Sequence, residues 1–308
     1  MDGLILVDKP RGLTSHDVVA RVRRCLGIQK VGHFGTLDPL ATGLLLVAVG
    51  RAVKLFPFFS AHDKSYSGEI RLGVATDTYD AMGRPTANPG GELPGREAVS
   101  EAMRSFEGEI LQAPPPYSAV KLAGKPLYKW ARARQAVACP PRPVTVHTFK
   151  LTGYRPPDVE FEVRCGPGTY VRSLAHALGE GLGCGAHLAR LRRLSAGEYD
   201  VSRAFPLDRV EDLVKEGRAG EVVLPLESLL PGLTKMILTK TAEDRLQKGR
   251  VLAAGDIQRM LPTPNADETE PVGGRQAYRL FSLTGQFLGL AHPGPQPETF
   301  IPFLVLVP

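Results

Sequence analysis

The densest run of chemically able residues is Lys30-Val31-Gly32-His33-Phe34-Gly35-Thr36-Leu37-Asp38-Pro39-Leu40-Ala41-Thr42-Gly43. Gly32, Gly35 and Gly43 permit unusual backbone angles and close approach of a ligand. Asp38 precedes a proline, which pushes it toward an extended conformation, and a lone carboxylate in such a loop can point into a cleft. Taken locally, Asp-Pro reads first as ordinary turn chemistry. The loop is no phosphate cradle, because it lacks the spaced glycines and following Lys-Ser/Thr of a P-loop. Asp77 and Asp80, three apart, read as turn caps or contacts to a sugar hydroxyl ahead of a Mg²⁺ site. Cys25, Cys139, Cys165 and Cys184 are scattered without metal-ligand or redox spacing, and the histidines, His176 and His187 included, show no zinc-type pairing. No metal is expected, and the cysteine usage fits a reducing cytoplasm.

The elements that must position Asp38 can be read around it. Gly3–Asp8 has the apolar run of a buried strand, stopped by Lys9-Pro10-Arg11-Gly12. Thr14-Ser15 offers a helix N-cap, Val18, Val19, Val22 and Leu26 form one helical stripe, and Gly27 stops it. The Gly-rich loop then feeds a strand over Leu44–Val49. Further strands are expected over Tyr66–Leu72, Val144–Leu151 and Val159–Cys165, with a short amphipathic helix over Arg96–Phe106. After the turn Gly166-Pro167-Gly168, Thr169 can cap a helix running through Leu182. A composition shift around Pro231-Gly232 places a domain boundary between 1–230 and 235–308. The second part holds a short helix (Thr241–Lys248) and a hairpin signal between Ala277–Ser282 and Phe287–His292. Met260–Arg275 reads as a mobile loop. Strands without strict helix alternation argue for a mixed α+β core.

The chain has 308 residues, 23% of them charged and 43% hydrophobic, ordinary values for a globular protein of about two domains. Its longest strongly apolar run, Leu44–Val49, is far below the ~18 residues of a membrane helix, and no signal peptide is visible. The net charge is +6, and its distribution says more. Between Ile110 and Pro157 lie eight basic residues (Lys121, Lys125, Lys129, Arg132, Arg134, Arg142, Lys150 and Arg155) and no acidic one, while the rest of the chain holds 30 basic and 32 acidic residues. Concentrated positive charge is the footprint of phosphate-backbone binding; a solvated loop of chance composition is the bland alternative.

Several blocks, in order, resemble the bacterial TruB family, the tRNA pseudouridine-55 synthases. They are Gly3–Pro10 with Gly12 and Thr14-Ser15; Lys30–Gly43; Lys64-Ser65-Tyr66; and Gly73 with Thr76–Asp80 and Gly83. Gln112, Pro116–Lys121, Gly124 and Leu127-Tyr128 follow, then Cys165–Leu174, with Leu188 to Leu194 beyond. The resemblance covers roughly residues 3–200 and weakens past Pro231 to the general look of a small RNA-binding PUA-type domain. It implies a mixed, mainly antiparallel pseudouridine synthase sheet with flanking helices, an RNA-gripping basic insertion over about 110–157, and a β-rich PUA-like domain over 235–308.

The resemblance also implies an activity: isomerisation of one uridine in the T-arm loop of tRNA, without metal or organic cofactor. Asp38 matches the catalytic aspartate, Tyr66 the active-site tyrosine and Arg172 the arginine that pairs with the aspartate. Tyr170, His33, Lys9 and Asp80 match further substrate-contacting positions, and Lys121, Lys125 and Lys129 are candidates to hold RNA phosphates. The residue types suit the reaction. The target base must be flipped out of a folded loop, and an aromatic ring can then stack on it. Asp38, as nucleophile at C1′ or base at C2′, must be ionised in a dry pocket, which calls for a cation such as Arg172. The C5 proton must finally leave, and a tyrosine can relay it. The expected protein is a cytoplasmic monomer acting on the T-stem loop with no obligatory protein partner. Two rival readings are a non-catalytic tRNA-binding or tRNA-folding protein and a guide-RNA-dependent pseudouridine synthase. A phosphohydrolase using Asp38, Asp77 and Asp80 lacks a credible ligand set.

Overall fold

A computed structural model describes the chain except residues 88–91, 134, 136, 138, 263–275 and 308. The capping chemistry of the first helix follows the sequence: β1 (Gly3–Lys9) leads into α1 (Ser15–Leu26), where Thr14 and Asp17 form a reciprocal capping box and Gly27 closes the helix at φ 65°. β2 (Val31–Phe34) and β3 (Thr42–Val49) bracket the Asp38 loop, and α2 (Phe56–Ser60) follows. β4 (Lys64–Leu72) enters the centre of the sheet, and the short pair β5 (Ala75–Thr76) and β6 (Pro85–Ala87) closes a small hairpin. Next come α3 (Arg96–Arg104) and β7 (Gly108–Gln112), then β8 (Lys121–Leu122) and β9 (Lys125–Pro126), a two-stranded ribbon continuing into α4 (Leu127–Arg132). β10 (Arg142–Arg155), longer than its apolar stretch suggested, pairs with β11 (Asp158–Cys165). After α5 (Val171–Gly181) come β12 (Ala186–Ala196), β13 (Tyr199–Asp200), β14 (Phe205–Pro206), α6 (Leu207–Lys215) and β15 (Val223–Pro225).

These strands make one eleven-stranded sheet, ordered β14-β1-β3-β12-β4-β11-β10-β7 along its main path, with β2, β13 and β15 paired off it. Pairing is antiparallel except at β1–β14 and β3–β12, which makes the sheet mixed and mainly antiparallel. A second, six-stranded sheet follows. It is built from β16 (Thr234–Leu238), β17 (Leu252–Ala253), β18 (Ile257–Leu261), β19 (Tyr278–Phe281), β20 (Phe287–Pro293) and β21 (Thr299–Val305), with α7 (Lys240–Gln247) against it. This is a β-rich unit of PUA-like form, and β19–β20 is the hairpin read from the sequence. Most of the Met260–Arg275 stretch lies outside the described residues. Among the described residues no helix is long and apolar enough to cross a membrane.

The near-continuous apolar runs of β1 and β3 have a structural cause. Side chains alternate across a strand, and both faces of these two strands are covered. Ile5, Val7, Leu45, Val47 and Val49 join the core shared with α1, α5 and α6. Leu4, Leu6, Leu44, Leu46 and Ala48 join a second core that also contains Phe281, Phe287, Leu290 and Leu306. One apolar core therefore runs from the first sheet into the second.

Candidate active site

The loop between β2 and β3 is held at both shoulders. Ser15, the first residue of α1, donates through Oγ to Leu37 O (3.1 Å) and accepts from Leu37 N (2.8 Å). Gly12 N donates to Pro39 O at 2.8 Å. Asp38 is thus fixed between two anchors, and the Asp-Pro step is a site device as well as a turn. At the end of the loop, Gly43 has φ +96°, and a Cβ there would meet Arg193 O at 2.3 Å, so glycine is required by both backbone angle and contact.

Arg172 enters at the start of α5. Its side chain is 5% exposed against 37% for Asp38. Nη2 donates to Asp38 Oδ1 at 3.2 Å and to Tyr117 O at 3.0 Å, and Nη1 donates to Thr78 O at 3.0 Å. Nε lies 2.9 Å from Asp38 Oδ2, an ion-pair approach whose N–H is not aligned for a hydrogen bond. Asp80 Oδ2 lies 3.6 Å from Nη1 on the other side, so one buried guanidinium sits between two carboxylates. Burial pushes the Asp38 carboxyl above its ordinary value, Arg172 and Lys9 pull it down, and Asp80 adds to the rise. The helix start is strapped in place from outside. Gln112 accepts from Tyr170 N (2.8 Å) and donates to Tyr170 O (3.1 Å), and Ser173 Oγ donates to Ala113 O (2.9 Å). Tyr170 is the N-cap residue; the Thr169 hydroxyl does not cap this helix.

Asp38, Tyr66, Asp80, Tyr170 and Arg172 line one cavity of about 470 Å³. Lys9 lies behind this group, fully buried, its ammonium donating to Leu13 O (2.6 Å) and Pro10 O (3.0 Å); burial takes its pKa down to about 8. His33 does not line the cavity. It packs edge-on to His16, ring centroids 5.7 Å apart, and burial lowers its pKa to about 4, so its imidazole is neutral at pH 7. Lys121, Lys125 and Lys129 also stay off the cavity wall. The basic segment instead presents Tyr117, Tyr128 and Arg132 to it, and Lys125 Nζ sits 3.9 Å from the centre of the Trp130 ring. Asp77 and Asp80 act on their own turn: Asp77 Oδ1 accepts from Arg84 N (2.8 Å), and Asp80 Oδ1 from Thr78 Oγ1 (2.6 Å) and Met82 N (2.9 Å). His176 and His187 have separate partners, and among the described residues no group of His, Cys, Asp and Glu could hold a metal.

Two residues of β12, one beside Tyr66 and one on the cavity wall, are not singled out by the sequence. Arg193 is 1% exposed, lies directly across from Tyr66 in the β12–β4 register, and donates to Leu44 O (2.6 Å) and Gly35 O (3.0 Å). Burial raises the Tyr66 phenol above its usual range, and the Arg193 guanidinium opposes that rise. Leu191, two residues earlier on the same strand face, lines the cavity. Strand alternation from Leu191 to Arg193 was the available signal: it puts an arginine on an apolar face, where a charge needs a reason.

Among solved structures, an archaeal box H/ACA sRNP Nop10-Cbf5 complex is similar over 99% of this chain and 86% of the matched chain, with TM-score 0.72 and 25% identity. A Cbf5-Nop10-Gar1 complex gives TM-score 0.72 and 26% identity, over 99% of this chain and 85% of that one. The chain therefore has the fold of these pseudouridine synthase neighbours. A family model described as TruB family pseudouridylate synthase (N terminal domain) matches residues 23–171, and one described as tRNA pseudouridylate synthase B C-terminal domain matches 172–231. A tRNA pseudouridine synthase B of Solibacter usitatus is 41% identical over 260 residues, 84% of this chain and 88% of the relative. One of Aromatoleum aromaticum is 40% identical over 290 residues, 94% of this chain and 88% of the relative. The chain belongs to the TruB family of pseudouridylate synthases.

Proposed function

We propose that this protein converts the uridine at position 55, in the T-arm loop of tRNA, to pseudouridine, with Asp38 as the reacting carboxylate. The observation that carries the reading is the Asp38–Arg172 pair at the wall of a cavity that also holds Tyr66. The uridine is flipped into the cavity, at a cost of a few kcal/mol in lost stacking. Its C1′–N1 bond breaks with Asp38 acting as an anion at C1′ or C2′, the uracil rotates, and C5 bonds to C1′. The C5 proton then leaves, with the Tyr66 oxygen as its carrier. Arg172 keeps Asp38 charged and aimed, and Asp80 holds Arg172 from the far side. Lys121 and Lys129 meet RNA phosphates, a reading supported by their exposure on the basic segment. The division at about residue 230, with the second sheet as an added RNA-binding unit, belongs to the same proposal, as do action as a monomer and a cytoplasmic location.

The test uses tRNA transcript labelled with tritium at uracil C5. Purified protein should release tritium with no guide RNA present, and mapping should place one pseudouridine in the T-arm loop. Asp38→Asn should release none while binding tRNA within a few fold of wild type. No release from bare transcript, or turnover by Asp38→Asn above about 1% of wild type, would sink the assignment.

A further inference from the structure

The turn that carries Asp80 is strained at its middle. Tyr79 has φ 64°, in the left-handed region that side-chain-bearing residues avoid. Both of its neighbours act on Arg172: the Thr78 carbonyl accepts from Nη1, and the Asp80 carboxylate faces the same nitrogen. If Tyr79 relaxed to an ordinary conformation, the peptides on either side would rotate and move both groups. The bond from Tyr79 N to Thr76 O (3.2 Å) closes the turn, and those from Leu188 N to Tyr79 O (3.0 Å) and from Ala81 N to Leu188 O (2.9 Å) hold it to β12. Besides those contacts with Arg172, the turn meets α5 through the Tyr79 side chain. The Tyr79 ring lies flat on His176, with centroids 3.8 Å apart and planes 7° from parallel. His176 stands four residues after Arg172 on α5, one turn along the same face. Its Nδ1 is buried without a hydrogen-bond partner, so the face of the ring does the binding.

We infer that Tyr79 and His176 are a positioning pair: their stack clamps the strained Thr78–Asp80 turn onto α5, so that Arg172 is held between Asp80 and Asp38. The inference rests on the proposed role of Asp38. Neither ring touches the reacting atoms in this scheme; both act through Arg172.

The experiment compares Tyr79→Gly, His176→Ala, Tyr79→Phe and His176→Phe by kcat, KM, the pH dependence of kcat/KM and thermal melting, with Asp38→Asn alongside. Glycine accepts the left-handed angle without strain, so Tyr79→Gly should keep its melting temperature. It and His176→Ala should nevertheless lose at least about tenfold in kcat, as misplaced catalytic groups do, with KM within about twofold. In both, the acid limb of kcat/KM should move to higher pH, because Asp38 loses part of its cationic partner. Tyr79→Phe and His176→Phe keep two stacking faces and should retain wild-type kcat. Wild-type kcat and an unmoved acid limb in Tyr79→Gly overturn the inference. So does a loss in His176→Phe as large as in His176→Ala, or a fall in kcat that only tracks loss of folded protein. An active Asp38→Asn would instead overturn the reading beneath it, which keeps the two failures distinct.

Discussion

A carboxylate in a cavity serves this chemistry only while it is charged, and Asp38 holds its charge against opposing influences. Burial raises its pKa and Arg172 lowers it, with burial the stronger, so activity should fall on acidification at a pH above the 3.8 of a free aspartate. Arg172→Gln removes the lowering partner. The limb should therefore move further up in pH, and kcat should drop on the order of 100-fold as Asp38 loses its aim. A pH series of kcat/KM for both proteins checks the sign; a limb moving down would contradict the pairing. Tyr66 allows a second test at this scale. Tyr66→Phe keeps the ring, so tRNA affinity should hold while tritium release fails. Tyr66→Leu should additionally lose about 1–3 kcal/mol of stacking, read as weaker tRNA binding. Near-normal tritium release from Tyr66→Phe would leave Tyr66 as a stacking surface alone.

At the scale of elements, the basic segment divides its labour. Tyr117, Tyr128 and Arg132 face the cavity, Lys125 is spent on Trp130, and Lys121 and Lys129 remain exposed. Replacing Lys121 and Lys129 with Ala should weaken tRNA binding and flatten its salt dependence, by up to about 0.7–0.9 in slope for each phosphate left unneutralised. Lys125→Ala should act mainly on the packing of the segment. An unchanged salt slope in the double variant would turn both lysines toward solvent. Part of the fold is legible in the sequence, because caps, glycine stops and alternation are local signals: Thr14 with Asp17, Gly27, and the Val159–Cys165 pattern; the long central strand β12, whose arginines interrupt its apolar residues, and the helix α6 are not. The pairing of Asp38 with Arg172 does not follow from spacing, since 134 residues separate them, and it rests on family resemblance. The Tyr79–His176 stack escapes a sequence reading because it depends on ring placement across two elements, which no local pattern encodes.

At the scale of the whole molecule, the second sheet is more than an appended binder. Its Phe281, Phe287, Leu290 and Leu306 cover the face of β1 and β3 that carries Leu4, Leu6, Leu44 and Leu46. Cutting the chain after Leu230 should therefore expose an apolar face of the catalytic sheet, lower the melting temperature and raise binding of a hydrophobic dye. Phe287→Ala, fully buried at that junction, should cost about 3–5 kcal/mol in denaturant unfolding of the intact chain. A truncated protein with wild-type melting would show that the two sheets stand independently.

The placement of β1 also sets a timetable. This strand pairs with β3 nearby in the chain, but with β14 and β15 only across some 200 residues. Its second face is closed by residues of the second sheet, which are translated later still. At about 5–20 residues per second, the first strand waits on the order of 10–40 s for β15 to emerge from the ribosome. Through that interval the apolar run of β1 stands on the nascent chain with its cover not yet made. Non-local pairings of this kind are slow to form and prone to wrong partners. The enzyme is therefore exposed while it is being made: chains stalled short of β15 should be cleaved by protease within β1, and completed chains should not.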